Sequence, residues 1–167
     1  MSRNHNRNNN IGVDDIARAT RIAEYQVRHG DDPLGVVLEY RETPCNPRFL
    51  FRPDGWPLLN QLALASGTPG RLKAMDVLLD GTYPGVDADV CGPEVLHVAA
   101  TTTHLEVISH LFTRYGHAVK EWDDRTWQTV PAASRHFIDA LTERQALVES
   151  LPDAAEPMQE KPRARRL

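Results

Sequence analysis

Two stretches of the chain repeat the same apolar grammar. Residues 55–81 contain GWPLLNQLA and then RLKAMDVLLDG, and residues 92–116 read GPEVLHVAATTTHLEVISHLFTRYG. Gly55, Leu59 and Ala63 of the first take the places of Gly92, Leu96 and Ala100 in the second, and 37 residues separate Gly55 from Gly92. Leu96, Ala99 and Ala100 share one face of a first helix, and Val107, Ile108, Leu111 and Phe112 share the facing side of a second. One short helix pair cannot bury its apolar face alone. Recurrence of the pair therefore predicts a stack in which each unit covers its neighbour.

The punctuation outside these copies agrees. Asp14 can cap a helix carrying Ile16, Ala19, Ile22, Ala23 and Val27, which Gly30 would end. Asp32–Pro33 opens a short helix with Leu34, Val37 and Leu38. Pro44, Pro47 and Pro53 mark a non-helical stretch around Phe49 and Phe51. Pro57 starts the helix Leu58 to Ser66, and Thr68–Pro69 opens Arg71 to Asp80, which Gly81 terminates. Residues 82–92 read as a loop or tight hairpin, a helix from Pro93 to Ala100 and a second from Leu105 to Tyr115 ended by Gly116 follow, and residues 117–129 are again polar. A final helix from about Pro131 to Ser150 lines up Val130, Ala133, Phe137, Leu141 and Val148.

The stretch 92–116 resembles an ankyrin repeat, on Gly92, Leu96, His97, Ala99, Ala100, His104, Leu105, Glu106, Val107, Leu111 and Gly116. The match over 55–81 is weaker, on Gly55, Leu59, Ala63, Leu72, Val77, Leu78 and Leu79, and an eroded copy begins near Asp123. The departures are specific. Glu94–Val95 stands where the family opens its first helix with Thr-Pro, and Thr103 stands where it has a glycine between the helices. A β-branched residue in a left-handed conformation is costly, so that link has to be built differently. The resemblance implies an all-α fold, an ankyrin-like stack of antiparallel helix pairs joined by short hairpin-like loops. It gives His97 a structural role, bonding backbone near the loop. The domain plan is an Asn-rich disordered tail over 1–10, a repeat domain over 11–151 with its clearest repeats at 55–91 and 92–122, and a basic disordered tail over 152–167.

Charge narrows the partner class. The net charge is −4, with Arg3 and Arg7 in the first ten residues and Lys161, Arg163, Arg165 and Arg166 in the last seven, so residues 11–160 carry −10. An acidic body repels phosphate backbones, which argues against nucleic acid as the partner of the folded part. No apolar run approaches the ~20 residues that span a bilayer, so no membrane association is expected. The N-terminus lacks the apolar core of a secretory signal, which points to the cytoplasm. The closing KPRARRL raises import into the nucleus as an alternative, against a merely solubilising tail. Cys45 and Cys91 are too few for a disulfide framework and read as thiols, loop or half-buried.

The sequence carries no recognisable catalytic signature. There is no G-x-S-x-G elbow, and adjacent Ser109 and His110 face different directions on a helix. Cys91, His97, His104, His110 and His117 are dense, but five or six residues intervene between neighbours, too wide for a usual zinc pair. A calcium loop through Asp87 and Asp89 would need oxygen ligands at Cys91 and Val98. The expectation is a protein without catalysis, cofactor or metal; a small helical enzyme with a histidine site is the remote alternative.

The resemblance implies a protein-binding module using loop tips and the concave helix face. By residue, the tips are Asp87 to Pro93 and Lys120 to Thr126, and the solvent-facing positions of the intervening helix are Val98, Thr101 and Thr102. Asp87, Asp89, Asp123 and Asp124 make the tips acidic, favouring a basic partner surface. Tyr83 and Trp122 are the candidate aromatic anchors.

Overall fold

A computed structural model describes residues 13–42, 55–83 and 86–150, and caps and helix-stopping residues divide these described residues into eight α-helices. They are α1 (Val13–His29), α2 (Pro33–Glu42), α3 (Gly55–Ala63), α4 (Pro69–Leu78), α5 (Ala88–Ala100), α6 (Leu105–Tyr115), α7 (Asp124–Thr129) and α8 (Ala132–Ser150), with a 3-10 helix over Gly116–Glu121. The described residues contain no strand. The tails, the proline-marked stretch around Phe49 and Cys45 lie outside the described residues.

The starts and stops follow from local chemistry. Asp32 Oδ1 accepts the Gly35 N–H at 2.8 Å, capping α2. Pro69 occupies the first turn of α4, where a missing N–H costs nothing. Gly81 takes φ +81°, the left-handed turn that ends that segment. The link between α5 and α6 solves the missing glycine with hydroxyls. Thr101 stays right-handed at φ −73°. Its Oγ1 donates to the Val98 carbonyl at 2.7 Å, and Thr102 Oγ1 donates to the Ala99 carbonyl at 2.6 Å. Thr102 Oγ1 also accepts the His104 N–H at 3.2 Å.

The helices pair and the pairs contact their neighbours in order. α1 packs on α2, α3 on α4 and α5 on α6. Between pairs, α1 lies on α3 and α3 on α5, while α2 lies on α4 and α6 on α8. Leu58, Leu59 and Leu62 of α3, Met75 and Leu78 of α4, Leu96 of α5 and Ile108 and Leu111 of α6 are fully buried between them. Ala99 and Ala100 are also fully buried. At about 25 cal/mol per Å² of apolar surface removed from water, these side chains drive the association.

Arginines close the seams. Arg71 of α4 donates to the Arg28 carbonyl at 2.9 Å and the Val27 carbonyl at 3.3 Å, at the end of α1 where carbonyls lack helical partners. Arg114 of α6 does the same for Leu79 beyond α4, at 3.0 Å. Arg41 pairs with Asp80 at 2.9 Å. The Gly67 N–H donates to Glu106 Oε1 at 2.9 Å, tying the α3–α4 link to the start of α6.

Three sequence expectations are corrected. Residues 88–92 are helical, not loop: Asp87 Oδ1 accepts the Asp89 N–H at 3.0 Å and starts α5 five residues ahead of Pro93, which lies inside the helix. Residues 117–129 hold the 3-10 helix and α7. The apolar stripe expected on α8 is shorter than its helix. Phe137 and Leu141 are half-buried, but Ala133 is exposed, Val148 is 61% exposed, and the fully buried positions are Ser134 and Ile138.

Candidate functional site

The aromatic residues of the acidic segment after α6 converge on α5. The 3-10 helix carries the chain back from the end of α6 and contacts α5. There Trp122 meets His97 edge-on, with ring centroids 5.4 Å apart, and Trp127 of α7 meets Trp122 at 5.1 Å. His97 Nε2 lies 2.9 Å from Thr129 Oγ1. All three rings are half-buried, and both tryptophans pack against the core. His97 thus bonds a side chain of α7 rather than the loop backbone that the resemblance implied. The half-buried rings adjoin Glu121, Asp123 and Asp124, all exposed, which makes the segment amphipathic.

The two acidic pairs are not equivalent. Asp123 is the N-cap of α7: its Oδ1 accepts the Thr126 N–H and the Thr126 hydroxyl, both at 2.7 Å. Those bonds hold its carboxyl below the usual aspartate range, although it sits in open solvent. Asp87 likewise caps α5. Asp124 is exposed in the first turn of α7, and Asp89 is exposed in the first turn of α5. Trp122 sits at the level of His97, eight residues along the helix from Asp89 and so about 12 Å from it along the axis. The tryptophan cluster gathers Asp123 and Asp124 and leaves Asp87 and Asp89 at the far end of α5.

Tyr83 does not serve as a surface anchor. It is 2% exposed, and its ring packs so closely on Gly55 that a Cβ there would overlap it. Among the concave-face candidates, Thr101 is exposed, Val98 is half-buried against the core, and Thr102 is half-buried with its carbonyl accepting Ser134 Oγ at 2.5 Å. Thr101 and Thr102 are therefore part of the helix-ending device already described, and Thr102 also anchors α8.

Cys91 is buried in α5, beside Gly92, whose missing side chain leaves room for the Tyr115 ring. Burial pushes the Tyr115 phenol above its ordinary pKa, with Arg114 opposing the rise. His110 Nε2 lies 2.8 Å from Asp76 Oδ1, joining α6 to α4. Among the described residues, no group of three or more His, Cys, Asp or Glu could hold a metal ion, and no helix is long and apolar enough to cross a membrane. A second concavity, unforeseen in the sequence, opens between α6 and the distal half of α8. It measures about 400 Å³, with Phe112, Leu141 and Val148 as its apolar walls and Arg144 and Gln145 at its edge.

No family profile, curated protein or solved structure matches the chain.

The pairing of Trp127 with Trp122 does not show in the apolar pattern, because both lie in a polar segment. The signal was present: Asp123 and Thr126 have the spacing of a cap, and a cap at Asp123 puts Trp122 just before it and Trp127 at the fourth helical position, the two places that a hydrophobic staple brings together.

Proposed function

We propose that the chain is a protein-binding module of the ankyrin-repeat kind, without catalytic function, that engages a basic partner surface through the edge built by Trp122, Trp127, Asp124 and Glu121. The observation that carries this is the half-buried Trp122–Trp127–His97 cluster with exposed carboxylates at its rim. Tryptophan dominates binding hot spots because it offers a large rigid area at low entropic cost, and rim carboxylates steer a cationic partner. The repeat reading draws support from two features: helix pairs that contact their neighbours in order, and burial of the motif residues Leu96, Ala99, Val107 and Leu111. The binding reading over catalysis draws support from His97 and His110, whose partners Thr129 and Asp76 engage them as ties between segments. A cytoplasmic or nuclear site of action belongs to the same proposal.

The test separates anchor from rim. Asp123 is unsuitable as a charge probe because its loss also uncaps α7, so Glu121→Lys with Asp124→Lys is the cleaner reversal. Proteins captured by the wild-type chain and lost on Trp122→Ala are identified, and their binding kinetics measured. Trp122→Ala is expected to raise the off-rate and to cost about 2 kcal/mol or more. The charge reversal is expected to slow association and flatten its salt dependence. Folded variants that bind every captured protein as the wild type does would end this assignment.

A further inference from the structure

Most of the large exposed apolar side chains among the described residues lie on the two end helices. Among the described residues, the large exposed hydrophobics are Ile22 and Tyr25 on α1, Val90 on α5, and Leu147 and Val148 on α8. Four of the five therefore lie on the helices with which the described structure begins and ends. Stacked helix arrays keep their outermost faces polar, because an apolar end is an unfinished packing surface.

The exposed stripes on the two ends carry charges of opposite sign, although α1 as a whole sums to zero and α8 to −1 with histidines neutral. On α1, Arg18, Arg21, Ile22 and Tyr25 are exposed at three- and four-residue spacing, so they form one stripe, opposite the buried Ala23 and Val27. Tyr25 is 67% exposed and rests on His29, with ring centroids 4.9 Å apart. On α8, Asp139, Glu143 and Leu147 are exposed at four-residue spacing, opposite the buried Ser134 and Ile138. Leu147 is 67% exposed. Each stripe is apolar at its middle or end, with Arg18 and Arg21 along it on α1 and Asp139 and Glu143 along it on α8, while Glu24 beside Arg21 and the exposed Arg144 beside Glu143 are the nearest charges of the other sign. Arg28 is tied to Gln61 Oε1 at 3.2 Å, and Glu149 to Gln145 at 3.0 Å. Arg18, Arg21, Asp139 and Glu143 are thus the charges set most directly along the two stripes.

We propose that the occupant of each end is the other end of a second copy of this chain: α1 of one molecule docks on α8 of the next. Ile22 and Tyr25 bury against Leu147, while Arg18 and Arg21 face Asp139 and Glu143. The contact joins two different surfaces, so it is head-to-tail and each added copy leaves one free end of each kind. It uses neither Trp122 nor Asp124, so it stands or falls independently of the proposed partner edge.

Sedimentation velocity of the full chain over a wide concentration series tests this. The average mass is expected to rise with concentration past that of a dimer and to fall in high salt, which screens the flanking charges. Two charge-reversed proteins sharpen it: Arg18→Glu with Arg21→Glu, and Asp139→Arg with Glu143→Arg. Circular dichroism checks that both fold. Each alone should sediment as a monomer, because its two ends now repel. Mixed in equal amounts they should associate again, since the reversed α1 meets the reversed α8 and the native ends meet each other. A wild-type chain that stays monomeric throughout overturns the proposal. So does assembly that stops at a dimer, persistence of association in either folded variant alone, or a mixture that fails to associate.

Discussion

The α5–α6 pair and the α7–α8 segment follow each other in the chain but are held by different forces. In α5 and α6 the buried positions are apolar and dense: Val95, Leu96, Ala99 and Ala100 against Val107, Ile108, Leu111 and Phe112. α7 buries no residue completely. α8, nineteen residues long, buries Ser134 and Ile138 and lies on α6 through its first half. What attaches this segment is a thinner apolar contact, Val130 and Ile138 with the half-buried Phe137 and Leu141, together with a short set of directional contacts: Trp122 on His97, Trp127 on Trp122, Thr129 on His97, and Ser134 on the Thr102 carbonyl. Apolar interdigitation is collective and fails only when the pair separates. A few polar and aromatic contacts can be lost while the helix pair beneath survives. The difference places the half-exposed aromatic surface on the part of the molecule with the lower local stability, where binding surfaces are commonly found.

The largest break in the comparison should come from its apolar side. Leu96→Ala removes a fully buried side chain from the α5–α6 contact and should destabilise by about 2–5 kcal/mol, read by chemical denaturation. A loss below that range would mean the site collapses around the gap. A smaller effect is expected across the seam. Ser134→Ala deletes the bond to the Thr102 carbonyl and should cost about 1 kcal/mol. It should also raise the mobility of α8 while leaving Leu96 and Leu111 signals in NMR spectra unmoved. If those signals shift, the two regions are one cooperative unit.

The smallest effect is electrostatic. Asp80, Glu106 and Asp123 all have carboxyls held below their ordinary values. Burial opposes the shift at Asp80, and its bonds to Thr82 and Arg41 outweigh it; Glu106 is held down by backbone N–H groups including Gly67, and Asp123 by Thr126. A lowered native pKa contributes stability above the unfolded pKa and loses it as pH falls through the native one. Thermal stability should therefore be flat through neutral pH and decline below roughly pH 4.5, the ordinary carboxylate range. The groups are exposed and the slope should be shallow. A decline that begins near pH 6 would contradict this reading.

Much of the α5–α6 region was legible in the sequence because apolar periodicity reports burial directly. Leu96, Ala99, Val107 and Leu111 all lie in the core. The cap pairs at Asp32–Pro33 and Thr68–Pro69 and the stop at Gly81 were legible for the same kind of reason, a single residue with one dominant conformational use. Pro93 misled. Proline is commonest in the first turn, so it suggested a helix start, whereas the chain spends the Asp87 cap earlier and accepts a proline that denies the Asp89 carbonyl its helical partner. The α7 segment, DRTWQT, has no apolar period to detect, and its contacts with α5 are long-range ring packing that no local pattern encodes. Tyr83 was read as an anchor from its place in a polar turn; its burial follows from the space left at Gly55, a tertiary fact.

Native-state hydrogen exchange on the full chain tests the division most directly. Amides in the middle of α5 and α6, those of Leu96, Ala99, Ile108 and Leu111, should exchange only through global unfolding and share one high protection. Those of Trp127, Gln128 and the distal half of α8 should exchange through local opening, at rates at least about tenfold faster, equivalent to 1.4 kcal/mol or more of lower stability. Equal protection across both regions would contradict the account, because it would mean that the tryptophan contacts bind the C-terminal segment as firmly as the apolar core binds α5 to α6.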